Sequence, residues 1–440
     1  MGKQKLVLPG GMAPGGKGCL TVEKLLIEGP SRLAGEITVH GAKNSVLPLL
    51  AASMLCSAGC VLHNCPVLSD VETAMRILRH LGCQVEREGS SVFVDPAGMD
   101  RDDIPDCLMR EMRSSIVFLG AIISRAGSAR LSFPGGCELG PRPIDLHLAA
   151  LRRMGAVIRE DHGCLDCSAP GGLRGARISL SFPSVGATEN VMIAASRADG
   201  TTIISNAARE PEICDLADFL CQCGAKISGA GESTIVIEGV QSLGGCEHRV
   251  IPDRIAASTF LAASAITGSK ISLAGVNSIH LNPVLSVFEE AGCHIKCQED
   301  RLEIVPPPRL CSVKGIRTMP YPGFPTDSQA PVMAMESLAD GTSVFVENIF
   351  ESRYKHVGEL LRLGANIKVE GRVAVVEGVR RLSGAPVEAP DLRGGAALVV
   401  AGLAAEGRTE ISGLKHIDRG YERLEESLAS LGASILRTSS

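Results

Sequence analysis

The sequence predicts an α/β fold built from six copies of one unit of about 70 residues, and two sets of recurring glycines indicate this repeat. In the first set, each glycine follows an amphipathic helical pattern and precedes a β-rich run, at Gly82, Gly155, Gly224, Gly292, Gly364 and Gly432. The second set interleaves with the first, at Gly59, Gly127, Gly200, Gly268, Gly341 and Gly407. Glycine just past a helix supplies the left-handed conformation that commonly ends it. Each unit is therefore predicted to hold two helices and several short strands.

The six units divide into three plus three, with a cut near residues 250–253. Strands alternate with helices throughout, which excludes a solenoid made of helices alone. The strand-like segments LTVEKLLIEG and GEITVH precede the first unit, and we expect them to return and complete the C-terminal half. Residues 1–20 are rich in glycine and are expected to form a flexible tail.

Composition and charge exclude several classes of function. The chain has 440 residues, a net charge of −5 and no Trp, which argues against nucleic acid or an anionic membrane as a partner. It contains no run of about 20 apolar residues that would span a bilayer. The N-terminus also lacks the apolar core of a signal peptide. These features predict a globular protein of the cytoplasm.

The 16 cysteines of a chain without an export signal are expected to be reduced thiols, most of them small core residues. Cys164 and Cys167 form a lone CxxC pair, and Cys221 and Cys223 are too closely spaced for a standard zinc knuckle. A structural zinc site needs four ligands at suitable spacing, so we expect no metal.

The first helix of each unit opens with polar or charged residues at nearly corresponding positions, namely Lys43, Arg113, Thr188, Arg254, Asp327 and Arg393. A cation at a helix start is disfavoured by the helix dipole, by about 0.3–1 kcal/mol. For a single residue, a solvated surface charge is the simpler interpretation. The recurrence instead favours a functional site in which several helix starts converge on a strongly anionic small molecule.

One cysteine differs from the others in its surroundings. Cys137 lies in a Pro-Gly-Gly-Cys turn, and Arg142 follows five residues later. A nearby arginine stabilises a thiolate, so this position favours a reactive thiol over one more buried small residue.

Eight motifs in order then identify the chain as a member of the enolpyruvyl transferase family, most similar to its UDP-N-acetylglucosamine 1-carboxyvinyltransferases. The motifs are GAKNSVLPLLAASML, MRSSIVFLG, PGGCELGPRPIDLHL, PSVGATENVMIAAS, AREPEICDLADFL, PTDSQA, ENIFESRYKHV and HIDRGYERLEESLASLGA. The resemblance covers about residues 21–437. It implies two inverse α/β barrel domains, each of three βαβαββ units, with the active site in the cleft between them. Residues 43–251 would form the first domain, and residues 21–42 plus 252–440 the second.

The resemblance also implies the reaction, which needs no cofactor or metal. Enolpyruvyl would pass from phosphoenolpyruvate to the 3-hydroxyl of UDP-N-acetylglucosamine by addition and elimination, with release of phosphate. This is the first committed step of peptidoglycan synthesis. Asp327 would be the general base, and Cys137 the general acid and the thiol that fosfomycin alkylates. Lys43 and Arg393 would also act in catalysis. Phosphoenolpyruvate would be held by Lys43, Asn44, Arg113, Arg142 and Arg393.

The residues implied to bind UDP-N-acetylglucosamine are Asn44, Arg113, Arg142, Pro143, Ile144, Asp145, Leu146, Ser184, Val185, Gly186, Asp327 and Ile349. Charged residues with less defined roles are Asp253, Glu210, Arg353 and Asp418. Phe182 stands where some members carry Lys, and Ser352 where others carry Asn, so nucleotide affinity could differ. Two alternatives stay open: a 3-phosphoshikimate 1-carboxyvinyltransferase, and a paralogue that binds the nucleotide sugar without turnover. No obligate protein partner is evident.

Overall fold

The computed structural model describes residues 23–133 and 144–439, apart from the side chain of Arg113. Three predicted site residues, Cys137, Arg142 and Pro143, lie outside the described residues, and so does the tail predicted over residues 1–20. Within the described residues, no helix is both long enough and apolar enough to cross a membrane.

The first half of the chain contains three units. The first unit consists of α1 (Lys43–Ser53), β3 (Cys60–His63), α2 (Ser69–His80), β4 (Gln84–Glu88) and β5 (Ser91–Asp95). The second consists of β6 (Asp103–Ile104), α3 (Asp106–Glu111), a 3₁₀ turn (Arg113–Val117), α4 (Phe118–Ala126), β7 (Ser128–Ser132), α5 (Asp145–Arg153), β8 (Val157–Asp161) and β9 (Cys164–Ser168). The third consists of β10 (Arg177–Ser179), α6 (Val185–Ala195), β11 (Thr201–Ser205), α7 (Pro211–Gln222), β12 (Lys226–Ser228) and β13 (Thr234–Glu238), followed by β14 (Glu247–Arg249).

The second half repeats this order. The fourth unit consists of α8 (Arg254–Ile266), β15 (Ile271–Ala274), α9 (Ser278–Glu290), β16 (His294–Cys297) and β17 (Arg301–Val305). The fifth consists of β18 (Ile316–Arg317), α10 (Thr326–Glu336), β19 (Thr342–Val346), α11 (Val357–Arg362), β20 (Asn366–Glu370) and β21 (Val373–Glu377). The sixth consists of β22 (Pro386–Glu388), α12 (Leu392–Ala404), β23 (Gly407–Ser412), a 3₁₀ turn (Leu414–Arg419), α13 (Leu424–Ser430) and β24 (Ser434–Ser439). The first strands of the described residues are β1 (Glu23–Gly29) and β2 (Gly35–Thr38).

The strands form six four-stranded sheets, one for each unit. In every sheet one edge strand pairs in parallel with its neighbour; β6 does so with β7, and β10 with β11. The third unit closes the first ring because β14 returns to pair with β3. The second ring closes through the N-terminal segment: β2 pairs with β15, and β1 lies between β23 and β24.

Three helices fill the centre of each half, and the sheets surround them. Helices α1, α4 and α6 contact one another in the first half, and α8, α10 and α12 do so in the second. These helices are buried almost all round; ten of the eleven residues of α1 are buried, for example. Burying one Leu, Ile or Val side chain stabilises a fold by about 1.5–3 kcal/mol, so these helices supply much of the core. The predicted α/β architecture of two inverse barrels is thereby confirmed.

The buried apolar side chains fall into two clusters. One runs from Val46 to Val250, and the other combines Leu25–Val39 with Ala256–Ala433. Two separate cores are expected for two domains whose boundaries lie near residues 42 and 251. The boundaries themselves stay a prediction.

The recurring glycines have the conformation that their pattern predicts, with one exception. The first set all have positive φ, from 93° at Gly364 to 103° at Gly224, which is the left-handed region past a helix end. In the second set, Gly59 alone does not have positive φ. A Cβ at that position would lie 2.6 Å from the ring of Phe93, so close packing rather than backbone conformation requires glycine there.

The chain passes between the halves at two places that lie side by side. Gly41 and Pro252 form an antiparallel bridge, and the Ala42 N–H donates to the Ile251 carbonyl at 2.7 Å. A Cβ at residue 41 would lie 1.8 Å from the Asn64 carbonyl oxygen, so only glycine fits. The Asp253 carboxylate accepts hydrogen bonds from the first turn of α8 and also from the backbone N–H of Lys43. One side chain thus caps a helix of each half.

Candidate active site

Lys43 is the first residue of α1 and is 8% exposed. Its Nζ lies 2.6 Å from Oδ2 of Asp70, at the start of α2. The other oxygen of Asp70 accepts a hydrogen bond of 2.9 Å from Nε of Arg419, which belongs to the second half. The three side chains therefore join the halves through one buried carboxylate held between two cations.

The charges of this group follow from burial and proximity. Burial lowers the pKa of Lys43, and the nearby Arg419 and Arg393 act in the same direction, whereas Asp70 opposes them. Burial raises the pKa of Asp70, but Lys43 and Arg419 outweigh it, so the pKa of Asp70 lies below its usual value. Asp70 thus keeps its negative charge in the interior because both cations face it.

A second carboxylate lies between two cations at the start of α10. Oδ1 of Asp327 accepts from Nη2 of Arg353 at 2.8 Å, and Oδ2 accepts from Nη2 of Arg393 at 3.3 Å. Arg353 and Arg393 are each 3% exposed, whereas the side chain of Asp327 is 29% exposed. The carboxylate is therefore both fixed in position and reachable from solvent.

Arg393, the second residue of α12, has free donors although it is buried. Its guanidinium stacks over the ring of Tyr421, 5.4 Å from the centroid. Among the described residues, neither its Nε nor its Nη1 has a hydrogen-bond partner. Burial lowers the pKa of Arg393, but Asp327, Tyr421 and Asp253 outweigh this effect and hold the pKa above its usual value. Arg393 is thus a permanent cation with N–H groups available to an anion.

We call these six side chains the cationic patch: Lys43, Asp70, Asp327, Arg353, Arg393 and Arg419. Four positive groups contact two carboxylates in it. The excess of cations, some with free donors, gives the patch the properties of a site for a multiply charged anion.

Glu347 holds one edge of the cationic patch in place through hydrogen bonds. Its carboxylate accepts hydrogen bonds from the backbone N–H of Ile349 at 2.8 Å and from the hydroxyl of Thr326 at 3.0 Å. Thr326 precedes Asp327, and its carbonyl accepts from Arg353. This network fixes Ile349 and Asp327 relative to each other.

The start of α6 forms another part of the predicted site. Ser184 caps the helix through its hydroxyl, which accepts from the Ala187 N–H at 3.4 Å. Val185 opens the helix, and a Cβ at Gly186 would lie 3.2 Å from His147. Burial lowers the pKa of His147 to about 4, so the ring is neutral at pH 7.

The segment that leads into α5 supports this helix start. Asn190 of α6 donates to Nδ1 of His147 at 3.0 Å and accepts from the Gly120 N–H at 2.6 Å. Ile144 is buried, Leu146 is half-buried and Asp145, the first residue of α5, is exposed.

Three glutamates and one arginine form a second buried group between the halves, which we call the glutamate patch: Glu189, Glu210, Glu212 and Arg254. Nε of Arg254 donates to Glu212 at 3.1 Å, and the guanidinium lies 5.7 Å from the ring centroid of Tyr321. Oε1 of Glu210 accepts from the Tyr321 N–H at 3.3 Å. Burial, together with Glu212 and Glu210, raises the pKa of Glu189 well above its usual value.

The structure pairs Asp327 with Arg393 and Arg353, and it places Lys43 close enough to Arg393 for their charges to interact. Asn44 is half-buried beside Lys43 at the same helix start. Asp418, in contrast, pairs with Arg437 on β24, and it is the neighbouring Arg419 that reaches across to Asp70. Among the described residues, the one group suited to hold a metal ion lies outside the cationic patch, at Cys56, Cys60 and Cys223.

Sequence reasoning missed Asp70, Arg419 and Glu212. Asp70 and Glu212 each lie in the first turn of a helix, where an acidic residue is ordinary, so no local signal distinguished them. Arg419 does lie in the charged motif HIDRGYE, which was the available indication.

Comparison with known proteins agrees with this geometry. The family model described as EPSP synthase (3-phosphoshikimate 1-carboxyvinyltransferase) matches residues 27–428. The chain is 52% identical over 414 residues to the UDP-N-acetylglucosamine 1-carboxyvinyltransferase 2 of Caldanaerobacter subterraneus subsp. tengcongensis, covering 94% of this chain and 99% of that protein. It is 50% identical over 420 residues to the UDP-N-acetylglucosamine 1-carboxyvinyltransferase 1 of Symbiobacterium thermophilum, covering 94% and 95%.

Solved structures give the same result for the fold. The enolpyruvyl transferase NikO from Streptomyces tendae superposes with a TM-score of 0.87 at 27% identity, covering 96% of this chain and all of that one. EPSP synthase from Acinetobacter baumannii has a TM-score of 0.74 at 18% identity, over 95% of this chain and all of that one. The chain belongs to the enolpyruvyl transferase family and, within it, to the UDP-N-acetylglucosamine 1-carboxyvinyltransferases.

Proposed function

We propose that this enzyme transfers the enolpyruvyl group of phosphoenolpyruvate to the 3-hydroxyl of UDP-N-acetylglucosamine and releases phosphate, the first committed step of peptidoglycan synthesis. The observation that carries the proposal is the cationic patch, where buried cations outnumber carboxylates and Arg393 keeps free N–H donors. Phosphoenolpyruvate carries a carboxylate and a phosphate, which are the groups that such donors bind.

Lys43 and Arg393 bind phosphoenolpyruvate in this proposal, together with Asn44, Arg113 and Arg142. Because Asp70 and Arg419 fix the Lys43 ammonium, that cation is already oriented before substrate arrives. Donors that are held in place stabilise developing charge without reorganising during the reaction.

Asp327 acts as the general base toward the sugar hydroxyl. Its carboxylate is anchored by Arg353 and Arg393 yet partly exposed, so a hydroxyl can approach it. When the 3-hydroxyl oxygen attacks C2 of phosphoenolpyruvate, its proton passes to Asp327, and C3 takes a proton from the general acid. Elimination of phosphate from the tetrahedral adduct then restores the double bond and returns the C3 proton.

Cys137 is the general acid in this scheme and the group that fosfomycin alkylates. We expect Cys137→Ala to lose nearly all turnover, by about 10²–10⁴-fold for the loss of an acid–base group. The same variant should not gain mass when incubated with fosfomycin, whereas the wild type should gain one adduct. A variant that kept full turnover would remove the thiol from the mechanism.

The nucleotide sugar is proposed to bind along the start of α6 and the loop that holds Ile349. The N–H groups of Val185 and Gly186 lie in the first turn of α6, and such N-termini suit a diphosphate. Arg113, Arg142 and residues 143–146 complete this set. The exposed Phe182 adds an apolar surface just before the helix, where some relatives carry Lys.

The deciding experiment measures phosphate release from phosphoenolpyruvate with two acceptors. Release with UDP-N-acetylglucosamine and none with shikimate 3-phosphate supports the proposal, and the reverse result supports the shikimate enzyme. No release with either acceptor, combined with measurable binding of the nucleotide sugar, supports the non-catalytic paralogue. We also propose that the protein works in the cytoplasm, where its thiols stay reduced.

A further inference from the structure

We propose that the protein holds one structural zinc ion between Cys56, Cys60, Cys223 and Cys246, in the first half and apart from the cationic patch. All four are reduced cysteines in the structure. Cys56 and Cys60 are fully buried, Cys223 is 4% exposed and Cys246 is half-buried.

The sulfurs of Cys56, Cys60 and Cys223 lie close enough together to bind one ion, and the sulfur of Cys246 contacts that of Cys223. The Sγ atoms of Cys56 and Cys223 are 3.6 Å apart, and those of Cys223 and Cys246 are 3.3 Å apart. The sulfurs of Cys56, Cys60 and Cys223 all lie within 4.8 Å of one another. Zn–S bonds of about 2.3 Å at tetrahedral angles place sulfurs about 3.8 Å apart. A four-iron cluster would hold its thiolates farther apart, because each binds a different iron.

Three of the four sulfurs, those of Cys56, Cys60 and Cys223, form one compact group. Cys246 contacts this group through Cys223 and completes four-fold coordination when its sulfur closes on the other two. Zinc there would displace the thiol protons, because thiolates are the form that binds the metal, so up to four protons are released on binding.

The four cysteines meet where the first ring of units closes. Cys56 follows α1 and Cys60 begins β3, whereas Cys223 follows α7 and Cys246 directly precedes β14. β14 and β3 pair in parallel, and the Val61 N–H donates to the Cys246 carbonyl at 2.9 Å. A bound ion would therefore join the first unit to the third.

Two arginines lie beside the cluster. Nη1 of Arg125 donates to the carbonyl of Cys56 at 3.1 Å. Arg197 lines the same cavity as Cys56 and Arg125, and within the described part of the chain its buried Nε has no hydrogen-bond partner. Four thiolates around one divalent ion carry two excess negative charges, which these cations offset.

Zinc content of the full-length protein tests the proposal. The protein is produced in zinc-supplemented medium, purified without chelator and analysed by elemental mass spectrometry, where one zinc per chain is expected. Cys223→Ser should lose that zinc. Cys221→Ser is the matched control and should keep the metal, since Cys221 is exposed and, among the described residues, belongs to no group of potential metal ligands.

A spectroscopic measurement keeps the test valid should Cys223→Ser fail to fold. Wild-type protein exchanged with Co²⁺ should show the visible bands of tetrahedral cobalt with sulfur charge transfer. Wild type without zinc or a cobalt spectrum would overturn the proposal. Peptide mapping that finds a disulfide among the four cysteines, or Cys223→Ser with full zinc, would do the same. Each readout is independent of phosphate release.

Discussion

The cationic patch and the glutamate patch both join the two halves through buried ion pairs, but their charge balance is opposite. In the first, four cations face two carboxylates; in the second, one arginine faces three glutamates. The first retains free N–H donors on Arg393. In the second, burial and the neighbouring Glu212 and Glu210 raise the pKa of Glu189 well above its usual value, which favours its protonated form.

We propose that this difference separates a binding site from a structural contact. An excess of buried cations with free donors is compensated only when an anion binds. An excess of carboxylates is compensated within the protein by protonation, so the glutamate patch needs no ligand. We therefore expect changes in the cationic patch to affect turnover first, and changes in the glutamate patch to affect stability first.

Asp327→Asn should have the largest effect. Asparagine preserves the shape of the side chain but cannot accept the proton of the sugar hydroxyl, so kcat should fall by about 10²–10⁴-fold. The rate of phosphate release at saturating substrate concentrations measures kcat. Asp340→Asn, at an exposed ion pair with Arg309, serves as the control and should leave kcat unchanged. A kcat within about twofold of the wild-type value would exclude Asp327 as the general base.

Arg254→Met should act mainly on stability. It leaves Glu212 buried without its partner, and breaking a buried pair in this way costs about 3–5 kcal/mol. Urea unfolding measures the loss, with Arg301→Met at the exposed pair with Glu36 as the control. If Arg254→Met abolished turnover while leaving the urea midpoint unchanged, the distinction between the two patches would fail.

Arg393→Lys should have an intermediate effect on turnover. Lysine keeps the charge but loses the planar donors, and a hydrogen bond to a charged group is worth about 1.5–3 kcal/mol. We expect kcat/KM for phosphoenolpyruvate to fall about 10- to 100-fold. Arg408→Lys, at an exposed ion pair with Glu28, is the control. Equal values of kcat/KM for the two variants would contradict the assignment of Arg393 to phosphoenolpyruvate binding.

Glu189→Gln should have the smallest effect, visible in the pH dependence of stability. The folded protein binds a proton at Glu189 that the unfolded chain releases near pH 4.5, so this residue makes stability fall as pH rises above that value. The glutamine variant should show a weaker fall and be more stable than the wild type at pH 7. Glu238→Gln, at an exposed pair with Lys226, should retain the wild-type slope.

The repeat made most of the fold predictable. The period of about 70 residues predicts glycines at helix ends. The recurring charges at helix starts predict Lys43, Asp327 and Arg393 as candidate site residues. Local patterns succeed here because helix ends and starts depend on a few neighbouring residues.

Contacts between distant segments could not be predicted in the same way. Asp70 and Arg419 are 349 residues apart, and nothing near either one indicates the other. The cysteine cluster cannot be predicted from the sequence for the same reason, because the cysteine nearest to Cys223 along the chain is Cys221, which does not belong to the cluster. Cys56 and Cys60 become neighbours of Cys223 only when β14 returns to β3.

The strand pairing also sets an order of events during synthesis. β14 completes the first ring by residue 249, while the rest of the chain is still being made. β1 is among the first strands to leave the ribosome, yet its partners β23 and β24 are among the last, with Glu23 opposite Ser439. At about 5–20 residues per second, β1 waits on the order of 20–80 s before its partners exist. Among the described strands, the apolar side chains Leu25 and Ile27 of β1 therefore wait longest for the partners that bury them.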